Sequence, residues 1–167
     1  MIFRKANYND IDRIYEIIKQ AQEYFRQNGI DQWQNNYPNP DIIKNDIENG
    51  ECYVIEDDDL IIATVVLSFR AERSYEKIYD GSWITDGRYA VFHRIAVDSR
   101  FKGKRISSVI IKHLESICRE RNINILRVDT HQDNKSMIKM LSNNDFKYCG
   151  IIYLESGDKG IAFEKVL

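Results

Sequence analysis

Apolar residues recur at Ile11, Ile14, Ile18, Ala21 and Phe25, steps of three and four that lay one stripe along a helix. Asn9 or Asp10 stands before the stripe as a cap, and Asn28-Gly29 stops it. Ahead of it, Ile2 to Ala6 reads as a strand. Behind it, Ile30 to Tyr37 is polar, lacks a clean period and reads as a loop with helical turns. Asn39-Pro40-Asp41 opens a short second helix, with proline at its first position and Ile42, Ile43 and Ile47 as its apolar face. The period then changes. Glu51 to Glu56 and Leu60 to Phe69 read as two strands of an antiparallel hairpin around Asp57-Asp58-Asp59.

Residues 70–88 are polar, with one or two helical turns expected over Ser74 to Tyr79 and a break at Gly81-Ser82-Trp83. Loops of that length are usually functional or mobile. Tyr89 to Val97 is a central strand. Arg105 to Arg121 is the main helix, its buried stripe running through Ile106, Val109, Ile110, Leu114, Ile117 and Cys118. Ile123 to Thr130 is continuously apolar, as a strand flanked by a parallel neighbour is. His131 to Asn134 forms a loop and cap before a helix over Lys135 to Asn143. Two last strands, Phe146 to Leu154 and Ile161 to Val166, turn at Ser156-Gly157-Asp158.

Composition narrows this α/β pattern. The chain has 167 residues, 43% hydrophobic and 30% charged, which excludes a disordered chain and fits one domain over 1–167. Pro38 and Pro40 are the only prolines, and no linker-like stretch appears. No apolar run is long enough to cross a bilayer, and the first residues run straight into a strand pattern instead of a signal peptide. Cys52, Cys118 and Cys149 are odd in number and far apart, which reads as buried free thiols in a reducing cytoplasm with no metal. Asp129-Thr130-His131-Gln132-Asp133 is discounted as a metal site, because adjacent ligands on a turning loop rarely converge. A net charge of −2 gives no general reason to bind nucleic acid, and no membrane partner is expected.

Charge distribution says more than its sum. Arg100, Lys102, Lys104 and Arg105 crowd a loop that follows the central strand and precedes the main helix. A helix start offers unpaired N–H groups and a partial positive charge, so strand, basic loop and helix together make an anion site. Its shortness suits a small ligand such as a diphosphate. Gly103 lets the backbone turn beneath it.

The order of elements and two motifs resemble the GNAT superfamily of acetyl-CoA-dependent N-acetyltransferases. The first motif is Ile95-Ala96-Val97 followed by Arg100-Phe101-Lys102-Gly103-Lys104-Arg105, similar to a Leu/Ile-x-Val strand end and a Gln/Arg-x-x-Gly-x-Gly/Ala loop. The second is Asp129 to Asn134, a helix, and Asp145-Phe146, similar to a strand-loop-Asn, helix and Gly-Phe. Arg105 and Asp145 depart from it, each standing where a small residue is expected. The resemblance implies a mixed, mostly antiparallel sheet of six to seven strands with flanking helices and a splayed parallel pair at the cofactor cleft. It implies acetyl-CoA as co-substrate. Its pantetheine would pair with the backbone of Ile95, Ala96 and Val97, and its pyrophosphate would sit on Arg100, Phe101, Lys102, Gly103, Lys104, Arg105, Ile106 and Ser107. Asn134 would line the far side.

Transfer to an amine needs a neutral nucleophile, whereas a free alkyl ammonium titrates near pH ~10.4. His93 on the central strand is the first candidate for the proton acceptor. Asp129 is a weaker one, better read as an ion-pair partner of Arg94 or Arg127. By spacing, the family's late helical tyrosine falls on Leu141, so Tyr148 is the candidate acid. Trp33, Tyr37, Tyr75 and Trp83 lie in the irregular segments that wall the acceptor site of this fold, with Trp33, Tyr37 and Trp83 as the substrate-binding set. The acceptor is a small-molecule or peptide amine, and the oligomeric state is open, a homodimer included. Two rivals stand beside this reading: a non-catalytic acyl-CoA-binding regulatory module, motivated by Arg105, Asp145 and Leu141, and an acyltransferase using another acyl-CoA.

Overall fold

Seven strands and four α-helices lie along residues 1–167, all of which the computed structural model describes. They are β1 (Ile2–Lys5), α1 (Ile11–Gln27), α2 (Pro40–Glu48), β2 (Cys52–Asp57), β3 (Leu60–Ser68), β4 (Ala90–Val97), α3 (Ile106–Glu120), β5 (Ile125–Thr130), α4 (Lys135–Asn143), β6 (Lys147–Tyr153) and β7 (Lys159–Val166). The strands hydrogen-bond in the order β1-β2-β3-β4-β5-β7-β6. β4 and β5 run parallel, with Ala90 opposite Leu126 and Val91 opposite Arg127. β1–β2, β2–β3, β5–β7 and β6–β7 are antiparallel. This is the mixed, mostly antiparallel sheet that the resemblance implies, with seven strands.

All four helices end the same way. The residue three past the last residue of the helix, at Ile30, Glu51, Ile123 and Phe146, donates its N–H to the carbonyl of Phe25, Asp46, Cys118 and Leu141 respectively, at 2.9–3.0 Å. That 6→1 bond requires the residue just before it to be left-handed. Gly29, Gly50, Asn122 and Asp145 occupy those places, at φ +65°, +68°, +57° and +66°. Asp145, where the resemblance leads one to expect glycine, is therefore a helix terminator whose short polar side chain tolerates this conformation. Asp145→Gly should raise stability by about 0.5–1 kcal/mol, the left-handed strain less the extra freedom that glycine has when unfolded. Denaturant titration reads it as a higher midpoint at unchanged slope. The same motif trims β5, because Ile123 gives its N–H to α3 and pairing begins at Ile125.

The start of α1 shows a different device. Asp10 is its N-cap residue but makes no side-chain cap bond. Its carboxylate takes both Nη1 and Nη2 of Arg4, at 2.8 and 3.1 Å. Asn7 does the capping, one short turn earlier.

Two compact units divide the chain. The first holds Met1–Leu67 with Arg94–His113. Its core packs Ile14, Ile17 and Ile18 of α1 on Ile43, Cys52, Val54, Ile61 and Ala96. The second holds Ser68–His93 with Leu114–Leu167. There Tyr75, Val91, Ile152 and Ala162 pack together, with Ile78, Trp83 and Tyr89 against them.

Residues 70–88 are better anchored than their polarity predicts. One 3-10 turn, Arg73–Tyr75, replaces the turns expected over Ser74 to Tyr79. Tyr79 and Ile151 then exchange backbone hydrogen bonds of 2.8 Å along the free side of β6. Gly81 and Gly150 make this approach feasible. A Cβ on Gly81 would come within 1.9 Å of the Cys149 carbonyl oxygen, and one on Gly150 within 2.6 Å of the Tyr79 oxygen. Further on, the fully buried Glu164 accepts from the N–H and hydroxyl of Thr85 and pairs with Arg127 at 2.6 Å. The Arg127 guanidinium lies 4.1 and 4.2 Å from the ring centroids of Trp83 and Tyr89. A charge is held in the interior here because it is both paired and stacked.

The three cysteines are free and buried, as expected. Burial pushes the Cys52 thiol up to about 12. No helix is long and apolar enough to cross a membrane.

Candidate active site

In the first unit the end of β4 runs into the basic loop. Val97 is followed by Asp98, whose carboxylate is fully buried. It accepts from the backbone N–H of Arg100 at 2.9 Å, from the Arg100 guanidinium at 3.1 and 2.9 Å, and from Nη2 of Arg13. Arg13 also donates to the Ile61 carbonyl at 3.0 Å, tying α1 to β3 and to the start of the loop. Asp98-Ser99-Arg100 is thus an Asx turn. The sequence carried this signal, an aspartate two residues before a loop N–H, but the expected site omitted it.

The Arg100 guanidinium, with Arg13 and the Arg100 N–H, holds the Asp98 carboxyl well below the usual carboxylate range against its burial. The folded value lies below the unfolded one, so this stabilisation is present above pH ~4 and is lost as pH falls through the folded value. Asp98→Asn should cost about 2 kcal/mol near neutrality, less than a wholly interior pair because both arginines keep contact with water. The deficit should shrink below pH ~4. Chemical denaturation of both proteins across pH checks it.

Past this anchor the loop is open. Lys102, Gly103, Lys104 and Arg105 are exposed. Gly103 stands at φ +80°, and a Cβ built on it meets nothing within 4 Å. Its backbone therefore faces free space, the room that a closely approaching phosphate needs. Arg105 stands at φ +60°, and its carbonyl accepts the N–H groups of Ser108 and Val109 at 3.1 and 3.2 Å. The small residue expected at position 105 thus answers a left-handed backbone, and arginine adopts it with the side chain in solvent. The next N–H groups, of Ile106 and Ser107, open α3, where a helix has no carbonyl of its own to offer them. Gly103, the helix start and the flanking lysines fit a diphosphate. Lys102 Nζ lies 4.5 Å from the Tyr24 ring and Lys104 Nζ 5.0 Å from the Phe101 ring. Lys102 and Ser99 also border an open groove of about 960 Å³ along α1.

Arg94 interrupts β4 at φ +47°. Its guanidinium donates to both oxygens of the buried Asp46, at 2.8 and 2.6 Å, and to the Tyr37 hydroxyl at 2.9 Å. Tyr37 is thereby fixed on a half-exposed ring. Trp33 packs edge-on to Phe25, with centroids 5.7 Å apart.

The second unit carries the titratable groups. His93 Nε2 lies 2.9 Å from Glu72 Oε1. The Tyr75 hydroxyl donates to Asp129 Oδ1 at 2.6 Å. Burial raises the Asp129 carboxyl above its ordinary range, opposed by the Tyr75 hydrogen bond and by His93. Burial, then Asp129, raises the Tyr75 hydroxyl well above its own. Gly160 makes room for this carboxylate, since a Cβ there would stand 2.6 Å from Asp129 Oδ2. The ion pairs expected between Asp129 and Arg94 or Arg127 do not form. Those arginines are taken by Asp46 and Glu164, and Asp129 receives a hydroxyl instead.

Other expected residues fall as follows. Trp83 stacks on Tyr75, with centroids 5.6 Å apart, and donates Nε1–H to the Tyr75 carbonyl at 3.0 Å. Tyr148 is exposed on β6 with its ring edge-on to Phe163. Asn134 is buried, and its Oδ1 caps α4 by accepting from the Met137 N–H at 3.1 Å. Leu141 is fully buried, so no hydroxyl stands at the family's tyrosine position. His131 Nδ1 accepts from the Asp133 N–H at 3.1 Å, a local turn bond in the loop discounted as a metal site. Glu72 was missed because it lies in an aperiodic segment where nothing distinguishes it from its charged neighbours.

The sheet with one parallel pair, followed by a glycine-bearing basic loop at a helix start, is the arrangement that the resemblance implies, and direct comparison agrees. The profile of the acetyltransferase (GNAT) family matches residues 11–146, and the chain belongs to that family. A GNAT-family acetyltransferase from Streptococcus agalactiae is 31% identical, with a TM-score of 0.90 over 99% of this chain and 95% of that one. At 16% identity, a PaiA N-acetyltransferase from Thermoplasma acidophilum in complex with coenzyme A superposes with a TM-score of 0.74 over 99% and 98% of the two chains. A ribosomal-protein-alanine N-acetyltransferase from Brucella melitensis, 17% identical, does so with a TM-score of 0.71 over the whole of both. Curated protein sequences give no match. Family membership implies an acyltransferase that draws on an acyl-CoA.

Proposed function

We propose that residues 1–167 form one N-acetyltransferase domain that moves an acetyl group from acetyl-CoA to a primary amine of a small molecule or peptide. The observation that carries this is Gly103: left-handed, uncrowded, between two lysines and directly ahead of a helix start. The coenzyme A bound by the Thermoplasma acidophilum relative supports the same ligand. Gly103 to Ser107 would hold the pyrophosphate through backbone N–H groups, with Lys102 and Lys104 adding charge. The backbone of Ile95 and Val97 would pair with the pantetheine arm. Asn134, which caps α4, would line the far side of the cofactor.

Acetyl-CoA supplies an activated acyl thioester. The chain supplies proton handling. An ammonium acceptor passes one proton to His93, which later releases it to solvent. The amine lone pair forms the C–N bond, the C–S bond breaks, and the second proton leaving nitrogen ends on sulfur. A backbone N–H, that of Val97, polarises the thioester carbonyl. Trp33 and Tyr37 of the first unit and Trp83 of the second are the candidate acceptor-binding aromatics. Tyr148 is the candidate for delivering the proton to sulfur. The reduced, buried cysteines suit a cytoplasmic setting.

Free thiol release should appear with acetyl-CoA in the presence of a suitable amine, and should fall with longer acyl chains. Faster release from a longer acyl-CoA would reassign the donor.

A further inference from the structure

The turn Glu72–Tyr75 is built to hold one carboxylate still. Glu72 is the N-cap residue of the turn, and its carbonyl accepts the Tyr75 N–H at 2.9 Å. The Tyr89 hydroxyl reaches the same carbonyl at 3.5 Å. Tyr75 is buried, stacked between Trp83 and Tyr89, and clamped at its far end by Asp129. Trp83 donates to its carbonyl. From this mount the Glu72 carboxylate meets His93 Nε2 at 2.9 Å. An ionised carboxylate only accepts, so a neutral imidazole bonded to it carries its proton on Nε2 and keeps Nδ1 bare.

We propose that Glu72 is a positioning residue: through Nε2 it fixes the tautomer and plane of His93 and leaves Nδ1 as the atom that takes the proton from the acceptor amine. This rests on the reading of His93 as the base. Glu72 has a second effect. When Nδ1 gains its proton, the new imidazolium stands beside a carboxylate that is already in place, with Asp129 as the next carboxylate in range. The charge is met without rearrangement. Tyr75 and Asp129 act one step further out, by holding the turn.

The full-length chain tests this in two readouts. Nitrogen-15 NMR of the His93 ring at about pH 8 should show a protonated Nε2 and a bare Nδ1 in the wild type. Glu72→Leu should lose that preference and drop kcat by about 100-fold, the low end of what a positioned base contributes, with KM for acetyl-CoA within about twofold. Glu72→Gln, whose amide oxygen still accepts from Nε2–H, should keep the tautomer and recover most of the rate. A wild-type ring protonated on Nδ1 overturns the proposal, and so does a Glu72→Leu protein that keeps tautomer and rate. If Glu72→Leu loses the tautomer at unchanged kcat, His93 is not the base and the proposal falls while acetyl transfer stands. If the wild type acetylates no amine, the functional reading fails, and the NMR result still decides whether Glu72 positions the ring.

Discussion

Gly103→Asp is expected to lose at least ~100-fold in affinity for coenzyme A while its unfolding midpoint falls by only about 2–4 °C. The small stability effect follows from the local geometry. The new Cβ enters open space, so the cost is the left-handed backbone alone, about 1 kcal/mol for aspartate. The large binding effect follows from charge. A carboxylate about 4 Å from a phosphate at an effective dielectric of ~20 costs about 4 kcal/mol before screening, and 1.4 kcal/mol is tenfold in affinity. Gly103→Ala carries the same strain without the charge and should lose far less. Calorimetric titration of coenzyme A into the three proteins separates the contributions. An unchanged affinity in Gly103→Asp would remove the loop from the site.

The second large effect is His93→Ala. A positioned general base contributes about 10²–10⁴ in rate, so kcat should fall within that range. The KM for acetyl-CoA should stay within about twofold, because the residues assigned to the cofactor begin at Ile95. Removing the ring also leaves Glu72 without its imidazole partner, so the variant's unfolding midpoint is measured alongside. The pH–rate profile decides the role. If the wild-type pH–rate profile survives in His93→Ala, another group takes the proton. Asp129 is then the residue to replace, since burial already raises its carboxyl toward the range where a base is useful.

Periodicity carried most of the fold. Helices with a three-and-four stripe and a left-handed stop, such as Ile11 to Phe25 before Gly29, appear within a residue or two of their expected ends. The hairpin at Asp57 to Asp59 and the parallel neighbour of β4 were legible because turn residues and continuous apolar runs are local signals. Arg105 and Asp145 looked like departures from the family and prove to be left-handed positions, a backbone demand that identity alone does not display. The charged groups were harder. Arg94, Arg127 and Asp129 are close in kind along the chain, but their partners lie dozens of residues away and follow from sheet register. Glu72 was invisible for the same reason: its role exists only once the turn at Tyr75 is folded onto Trp83. The polar run 70–88 read as loose because its anchors, Glu164 and β6, come much later in the sequence.

Acetyl transfer to nitrogen leaves an isotopic label on the acceptor. The chain is incubated with acetyl-CoA carrying a labelled acetyl group and a panel of small amines, amino-acid derivatives and peptides, and products are read by mass spectrometry. A labelled amide should form only with protein present and should be lost in Gly103→Asp. Calorimetric binding of acetyl-CoA with no labelled amide from any amine would contradict acetyl transfer and leave an acyl-CoA-binding module in its place.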